Sequence, residues 1–401
     1  MGTSLADALV WMLPAGGTLS GYRAAGTLRR EWALMRAMLD HYPRVVIAST
    51  GDETETQALD EIVPETLRER VSVVFETAIE PNPITASILA ERVAEVLGDA
   101  KTLVCRTSEV RGAFYTIDVV HELRGRGYVV AYVARTTEAW TRFIAHETGP
   151  HAEEAVLSGT QEGTVCQLSD MLIGTTSVMV SDLAWRYTLD PRSTVVVSNY
   201  ATPVKESETV KDRIKGLLLY AGPLVARTRV DTLIQAVAML HEANPDITLE
   251  VMGEGPYLET LQALAMELGA PVKFITDATH EQRLDRMCVC DIFVHASALE
   301  SQPLELIEAM SRGAPCVVAD APGLGEVVHH GVTGLRCAGD AQSFAHVIQE
   351  VLGDDDWRAM MGSSGARLAE SSYGLASVVE SEIMAHERAV EMALERTRRA
   401  A

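Results

Sequence analysis

The chain has 401 residues, 47% of them hydrophobic and 22% charged, so it is long enough for two domains with sizeable cores and is not disordered. Its net charge of -22 argues against nucleic acid as a partner, because phosphates attract basic surfaces. Six cysteines are too few for a disulfide scaffold. With no apolar run of membrane-spanning length and no signal-peptide pattern, we expect a cytoplasmic protein.

Apolar runs alternate with helical patterns along the first half of the chain, which is typical of a parallel sheet covered by helices. Strands of such sheets are buried on both faces and are therefore continuously apolar. The clearest helical patterns are 28–39 and 113–127. The predicted strands are 8–14, 44–50, 71–77, 102–108, 128–134, 177–182 and 193–199.

A polar stretch without apolar periodicity interrupts this alternation, and we interpret 204–216 as a linker. A second alternating series follows, so the sequence predicts an N-terminal domain over 1–203, a C-terminal domain over 217–374 and a terminal helix over 375–401. Ligands of parallel sheets bind beyond the carboxyl ends of the strands. The strands predicted in the second domain are 217–222, 247–253, 272–276, 292–297, 315–320 and 333–339.

The stretch ALESQPLELIEAM, residues 298–310, places Glu300 and Glu308 on either side of Pro303. It follows a predicted strand, and Pro303 suits the first position of a helix, where a missing N–H costs nothing. Free N–H groups at a helix start attract phosphate, and carboxylates accept hydrogen bonds from sugar hydroxyls. An amphipathic helix with solvent-exposed acids is the alternative, and it is the commoner origin of this spacing taken alone.

Segments flanking this stretch favour the ligand site, because their order resembles the family-four retaining glycosyltransferases of the GT-B architecture. Residues 251–269 are similar to the family's strand, Gly-x-Gly-Pro turn and helix. Residues 290–320 resemble its E-x7-E segment, and 323–337 its Gly-x-x-Glu turn and next strand. In the N-terminal half the resemblance is thinner: PAGG at 14–17 is similar to a glycine loop, and 169–203 to the segment that closes the domain.

The resemblance implies an α/β fold of two Rossmann-like domains with parallel sheets facing a central cleft, and a C-terminal helix crossing back to the N-terminal domain. It implies an enzyme that moves a hexose or another sugar, with retention, from a nucleotide sugar such as a UDP-sugar to an acceptor hydroxyl. No metal and no cofactor would be needed. The acceptor would be a glycan, a lipid-linked sugar or a small molecule of a bacterial pathway.

The resemblance also implies roles for residues of the motif. Glu300 would be a catalytic carboxylate beside the donor sugar, and Glu308 would bind the donor's ribose. The diphosphate would lie against the backbone from Ser301 to Glu305. The residues implied in donor binding are Gly16, Gly17, Gly222, Gly253, Ser301, Gln302, Pro303, Leu304, Glu305 and Glu308.

The chain departs from the family where two cations usually stabilise the leaving diphosphate. Pro223 and Thr228 occupy the positions expected for Arg and Lys. The neighbouring Arg227 and Arg229 could substitute, so we take both as candidate catalytic residues.

Three further residues at predicted strand ends are candidates for the cleft. Arg135 lies in the neighbourhood where the family usually carries a His, and Arg106 lies near the end of the predicted strand 102–108. For both arginines a structural role is an equal alternative. His295 lies near the end of strand 292–297, so it is a candidate for contact with the donor.

Two other functions remain open at this stage. The missing cations favour a non-catalytic protein that binds a nucleotide sugar or a partner, and an epimerase has a similar two-domain architecture. The basic residues within 22–36 suggest a membrane or anionic-acceptor surface, although the acidic chain as a whole argues against it. The acids Asp354, Asp355 and Asp356 favour a helix start over a metal site.

Overall fold

The computed structural model describes residues 6–205 and 212–400, and these form two compact α/β units. The N-terminal unit comprises Met1–Thr175, Met179–Val197 and Val379–Ala401, and the C-terminal unit comprises Thr176–Val178 and Ser198–Val378. The predicted linker, 204–216, falls partly outside the described residues, and its last three residues already belong to a strand.

The N-terminal unit is built on a seven-stranded, fully parallel sheet with the order β3-β2-β1-β4-β5-β6-β7. Of its central strands, β1 is buried along its whole length and β4 along all but its first residue, as their continuous apolar runs predict. The strands are β1 (Ala8–Met12), β2 (Arg44–Ser49), β3 (Val71–Phe75), β4 (Thr102–Thr107), β5 (Val129–Thr136), β6 (Met171–Gly174) and β7 (Thr194–Val196).

Helices alternate with these strands, and polar side chains begin several of them. Asn82 and Thr85 form a reciprocal capping box at the start of α4, and Thr18 accepts a hydrogen bond from the N–H of Gly21 at the start of α1. The helices are α1 (Leu19–Ala24), α2 (Leu28–Met38), α3 (Thr54–Ile62), α4 (Pro83–Leu97), α5 (Thr116–Gly125), α6 (Trp140–Thr148), α7 (Glu153–Leu168) and α8 (Ser177–Tyr187).

One predicted strand of this unit is wrong. Residues 177–182 begin α8, and the strand at this point of the chain is β6, Met171–Gly174, which the prediction missed. Both segments are short apolar runs, and a buried helix cannot be told from a buried strand by such a run alone. The pattern from Ser177 continues for eleven residues, which is long for a strand and ordinary for a helix.

The C-terminal unit is built on a six-stranded parallel sheet with the order β10-β9-β8-β11-β12-β13. All six strands predicted from the sequence are present. They are β8 (Ile214–Ala221), β9 (Thr248–Met252), β10 (Val272–Ile275), β11 (Cys290–His295), β12 (Cys316–Ala319) and β13 (Leu335–Cys337).

Among the residues that the structure describes, seven helices accompany this sheet and precede the long terminal helix. They are α9 (Val230–Ala243), α10 (Leu258–Glu267), α11 (His280–Val289), α12 (Leu304–Ser311), α13 (Leu324–Val327), α14 (Ala341–Leu352) and α15 (Asp355–Tyr373). Asp354 caps α15 by accepting the N–H of Trp357, so the acidic run lies at a helix start. The terminal helix is α16 (Leu375–Ala400), and its residues from Val379 onward are grouped with the N-terminal unit.

The two parallel α/β units confirm the predicted fold class, and each has its own hydrophobic core against its sheet. Within the described residues, no helix is both long enough and apolar enough to cross a bilayer.

Candidate active site in the C-terminal unit

The motif from Ala298 to Met310 lies where the sequence predicts it, between a buried strand and a helix. The strand β11 ends at His295, and helix α12 begins at Leu304. Pro303 has extended backbone angles and lies immediately before the helix rather than at its first position. The motif therefore stands at the carboxyl edge of the sheet, where parallel α/β sheets bind their ligands.

The carboxylate of Glu300 is held by donors that converge on one of its two oxygens. Its Oε2 accepts hydrogen bonds from Arg227 Nη1 at 3.2 Å and from Ser297 Oγ at 3.1 Å. His295 Nε2 lies 3.6 Å from the same oxygen, slightly beyond hydrogen-bond range. Burial raises the pKa of Glu300, but the His295 ring and the Arg227 guanidinium outweigh it and hold this pKa below its ordinary value.

The structure separates the two arginines predicted to replace the missing cations. Arg227 lies in a short 3-10 helix and reaches Glu300, and its main-chain oxygen accepts the N–H of Ala298 at 2.9 Å. Arg229 has a left-handed backbone, with φ of 51°, and its side chain contacts Asp231 instead. Only Arg227 is therefore brought to the predicted catalytic carboxylate.

Glu308 is buried inside α12 with 2% of its surface exposed. Its Oε1 accepts a hydrogen bond from Thr202 Oγ1 at 2.7 Å and lies 3.3 Å from His280 Nε2. The acid is thus fixed in position by residues from two other segments. Burial also raises the pKa of Glu305, in the first turn of α12, and the charge of Glu308 raises it further.

Gln302 is engaged with a neighbouring loop. Its Oε1 accepts the main-chain N–H of Asn199 at 2.5 Å, and its main-chain oxygen accepts Asn199 Nδ2 at 3.2 Å. Gly323, at the start of α13, packs so closely that an added Cβ would lie 2.3 Å from the Ser301 oxygen. These contacts hold the backbone of Ser301 and Gln302, which precede the first residue of α12, in one conformation.

Several partners at this site were not identified from the sequence. Thr202 lay in the polar stretch beside the predicted linker, and Asn199 lay at the end of a predicted strand. Ser297 and His280 were not singled out either. The position of His280 could have been predicted, because Thr279 and Gln282 have the spacing of a capping box and place His280 at the start of α11.

The predicted donor-binding glycines Gly222 and Gly253 lie where two strand ends cross closely. Gly222 has a φ of 147°, and its N–H donates to Met252 O at 3.0 Å. A Cβ on Gly253 would lie only 1.9 Å from the Gly222 oxygen. The absence of a side chain at Gly253 is therefore a packing requirement of this edge of the sheet.

We expect Gly253→Ala to lower the free energy of unfolding by about 1–3 kcal/mol, because the methyl group must displace backbone. Denaturant unfolding of the full chain measures this. Gly339→Ala is the matched control, since its Cβ would meet nothing closer than Ala319 Cβ at 3.9 Å. Equal stability of the two variants would contradict the close crossing.

A cavity of about 370 Å³ opens near the carboxyl ends of β9 and β10. Met252 and Ile275, the last residues of the two strands, form part of its wall. It is lined by Glu250, Met252, Lys273, Ile275, Asp277, Ala278, Gln282, Asp285 and Arg286. Its mixed apolar and charged lining suits a flat polar ring with hydrogen-bonding edges.

In the N-terminal unit the glycine loop follows β1, as predicted. Gly16 has a φ of 77°, and the N–H of Gly17 donates to Pro14 O at 2.8 Å. Nearby, Glu109 follows β4 and accepts the N–H of Thr137 at 2.9 Å. Burial raises the pKa of Glu109 to about 7, a feature that the sequence did not reveal.

The candidate cleft residues Arg106 and Arg135 both make ion pairs within the N-terminal unit. They are only 2% and 4% exposed, and both guanidinium groups contact Glu382 of α16, at 2.5 and 3.3 Å. Arg106 also lies over the ring of Trp11, 3.8 Å from its centroid. Each guanidinium group is therefore buried against a countercharge within the N-terminal unit.

Residues 203–368 match the model of the family described as glycosyl transferases group 1. The matched residues lie in the C-terminal unit and in the segment that leads into its first strand. The chain is 30% identical over 250 residues to the D-inositol 3-phosphate glycosyltransferase of Streptomyces scabiei, covering 57% of this chain and 55% of that protein.

A second relative of this chain is the GDP-mannose-dependent monoacylated alpha-(1-6)-phosphatidylinositol monomannoside mannosyltransferase of Corynebacterium glutamicum. The two chains are 29% identical over 158 residues, which cover 37% of this chain and 41% of that protein. The matched part of the chain therefore spans about half the length, or less, of these curated relatives.

The crystal structure of HepE from Anabaena in complex with UDP has a TM-score of 0.69 against this chain at 16% identity. The match covers 94% of this chain and 98% of HepE. At this identity the likeness shows the fold alone. The resemblance to glycosyltransferases of the GT-B architecture, drawn above from the sequence, is confirmed.

Proposed function

We propose that the chain transfers a sugar from a nucleotide diphosphate sugar to an acceptor hydroxyl, with retention of the anomeric configuration. The observation that carries this proposal is the ionised carboxylate of Glu300, only 11% exposed, which Arg227 and Ser297 hold just ahead of the start of α12. A fixed anion beside a helix start suits a substrate that combines hydroxyl groups with a diphosphate.

In this proposal, different groups of the site bind different parts of the donor. The diphosphate would lie at the N-terminal end of α12, near the N–H groups of Leu304 and Glu305, where the helix dipole favours negative charge. The Arg227 guanidinium would lower the free energy of the charge that develops on the leaving diphosphate. The Oε1 atom of Glu300 has no partner among the described residues and would accept a hydroxyl of the sugar.

The nucleoside would extend from the diphosphate along the carboxyl edge of the sheet. Glu308 would accept ribose hydroxyls, and the 370 Å³ cavity beside β9 and β10 would hold the base. One relative is GDP-mannose-dependent and HepE was crystallised with UDP, so guanosine and uridine nucleotides are both included in the titration described below. The acceptor would bind to the N-terminal unit, in the neighbourhood of the glycine loop that follows β1.

A second candidate function is binding without turnover. Thr228, in place of a cation, is buried and donates its hydroxyl to Pro223 O at 3.0 Å. A single arginine, Arg227, is then left to stabilise the leaving group, and it already contacts Glu300. This arrangement favours a nucleotide-sugar-binding protein if the rate of transfer is negligible.

The experiment that separates the two functions is a calorimetric titration with UDP, GDP, UDP-glucose and GDP-mannose, followed by a hydrolysis assay for any sugar nucleotide that binds. Binding with slow release of the free sugar in the α configuration supports the retaining transferase. Binding without any release favours the second function. Absence of binding across the panel contradicts both.

We expect Glu308→Ala to weaken nucleotide binding by about tenfold to a hundredfold, because a hydrogen bond to a charged group contributes about 1.5–3 kcal/mol. Calorimetry with the tightest nucleotide of the panel measures this. Glu281→Ala, which removes an exposed acid from α11, is the matched control and should leave affinity unchanged. A folded Glu308→Ala protein with full affinity would contradict the ribose assignment.

A further inference from the structure

His295 is the buried imidazole at the carboxyl end of β11, in the central part of the C-terminal sheet. Only 2% of its surface is exposed, and within the described residues neither ring nitrogen has a hydrogen-bond partner. Leaving buried polar atoms unpaired costs about 1–3 kcal/mol each, so such a residue is costly to retain for packing alone. A leucine of similar size would avoid this cost.

The ring is held in one orientation by its neighbours. It stacks on Tyr220, with the ring centroids 5.7 Å apart and the planes inclined by 21°. Tyr220 is itself fixed, because its hydroxyl donates to Pro223 O at 2.9 Å. This orientation places Nε2 at 3.6 Å from Glu300 Oε2.

Three donors therefore surround one oxygen of Glu300. Arg227 and Ser297 already make hydrogen bonds to Oε2, and a movement of a few tenths of an ångström would add His295 as the third. Because both existing hydrogen bonds end on Oε2, the carboxylate cannot rotate without losing them together. Oε1 is then directed away from these donors and is available to a ligand.

Resting on the function proposed above, we propose that His295 is a positioning residue that fixes the carboxylate of Glu300 through Oε2 and so presents Oε1 to the donor sugar. It acts through Glu300 and does not itself touch the reacting atoms. The arrangement differs from a plain arginine–carboxylate pair. The imidazole ring of His295 restrains the carboxylate from the end of β11, while Arg227 contacts it from the 3-10 helix.

The charged and titratable groups around His295 come from several elements. Tyr220 faces it from β8, and Glu300 faces it from the loop that follows its own strand. Arg227 of the 3-10 helix contacts the same oxygen of Glu300. His295 also acts electrostatically to lower the pKa of Glu305 in α12, against the larger effect of burial, which raises it. His295 and Arg227 both lower the pKa of Glu300, so loss of the ring raises that pKa. The acid limb of a pH–rate profile governed by Glu300 then moves to higher pH.

The first test compares His295→Leu, which keeps the volume and removes both nitrogens, with His295→Gln, which keeps an N–H donor. With whichever of UDP-glucose and GDP-mannose is turned over, we expect His295→Leu to lower kcat about 10- to 100-fold, with KM within about twofold. His295→Gln should recover most of the rate, and the acid limb should move upward only in His295→Leu. An unchanged rate in His295→Leu, or equal losses in both variants, would overturn the proposal.

A second test needs no donor. The melting temperatures of His295→Leu, Glu300→Gln and the double variant form a cycle that reports the coupling between the two side chains. The exposed His346→Leu, combined with Glu300→Gln, is the control. We expect the first pair to be non-additive and the control pair to be additive; additivity in the first pair overturns the proposal. If the first pair is non-additive but the protein binds no nucleotide, the contact between His295 and Glu300 exists and the proposed function is wrong. The two failures can therefore be told apart.

Discussion

Replacing Glu300 by glutamine is expected to lower turnover about a hundredfold or more while the affinity for nucleoside diphosphate stays within about twofold. The substitution keeps the shape of the side chain and removes its charge, so it removes stabilisation that a developing positive charge on the donor sugar would need. In the proposed site the diphosphate would be held by α12 and Arg227 and would not require that charge. An effect on kcat with little effect on binding is the signature of an interaction made in the transition state.

The natural control for this variant is Glu305→Gln, five residues further along the same chain. Glu305 would offer the donor only its backbone N–H, which the substitution leaves in place, and burial already raises the pKa of its carboxyl group. We expect Glu305→Gln to keep turnover within about threefold. A Glu300→Gln protein that is folded and as active as the control would exclude Glu300 from the reaction.

The pH dependence of Glu300 follows from its surroundings. Its folded pKa lies below the ordinary value, so the ionised form is present at neutral pH and is lost only when pH falls through that lowered pKa. The folded protein should therefore retain donor hydrolysis at a pH where an exposed glutamate would already be half-protonated. Rates measured against pH in buffers of constant ionic strength test this.

The fold and the position of the motif could be predicted because they depend on short-range patterns. A continuous apolar run, a polar loop with a proline, and an amphipathic stretch place Glu300 and Glu308 at a strand-to-helix junction without knowledge of the rest of the chain. The same reasoning failed at 177–182, because an apolar run of six residues fits a buried helix as well as a buried strand.

The partners of the motif could not be predicted, because they come from distant segments. Thr202 is 106 residues from Glu308, and Arg227 is 73 residues from Glu300. The adjacent Arg227 and Arg229 were indistinguishable in the sequence, and the left-handed backbone at Arg229 decides which of them reaches the carboxylate. Side-chain direction in a loop is set by such local backbone angles, which the neighbouring residue types did not reveal.

Glu382 shows the largest consequence of a long-range partner. It is fully buried in α16 and contacts Arg106, 276 residues away, and Arg135. Burial raises the pKa of Glu382, but the two arginines outweigh it and lower this pKa to about 2. We expect Glu382→Gln to lower the free energy of unfolding of the N-terminal unit by about 3–5 kcal/mol, because it leaves two buried cations without their countercharge.

The sign of the pH effect distinguishes this ion cluster from ordinary packing. The folded pKa of Glu382, about 2, lies below the unfolded value of 4.5, so its stabilisation is complete above pH 4.5 and is lost as pH falls toward 2. Burial also lowers the pKa of His386, one turn along α16, to about 4, which adds a loss of stability between pH 6.5 and 4. The wild-type chain should therefore become less stable in acid, and Glu382→Gln should flatten the lower part of that curve.

Thermal unfolding between pH 2.5 and 7 measures both expectations, with Glu380→Gln as the matched control, since Glu380 lies on the exposed side of the same helix. The control should follow the wild-type curve, and Glu382→Gln should differ most at pH 7 and least near pH 2.5. A loss of stability that is the same at every pH would mean that the carboxylate contributes through its shape rather than its charge. In that case the buried positive charges of Arg106 and Arg135 would have to be balanced by groups other than Glu382. Replacing Glu382, Arg106 and Arg135 together by apolar residues would then not restore the free energy of unfolding, although such replacements do so in buried ion clusters.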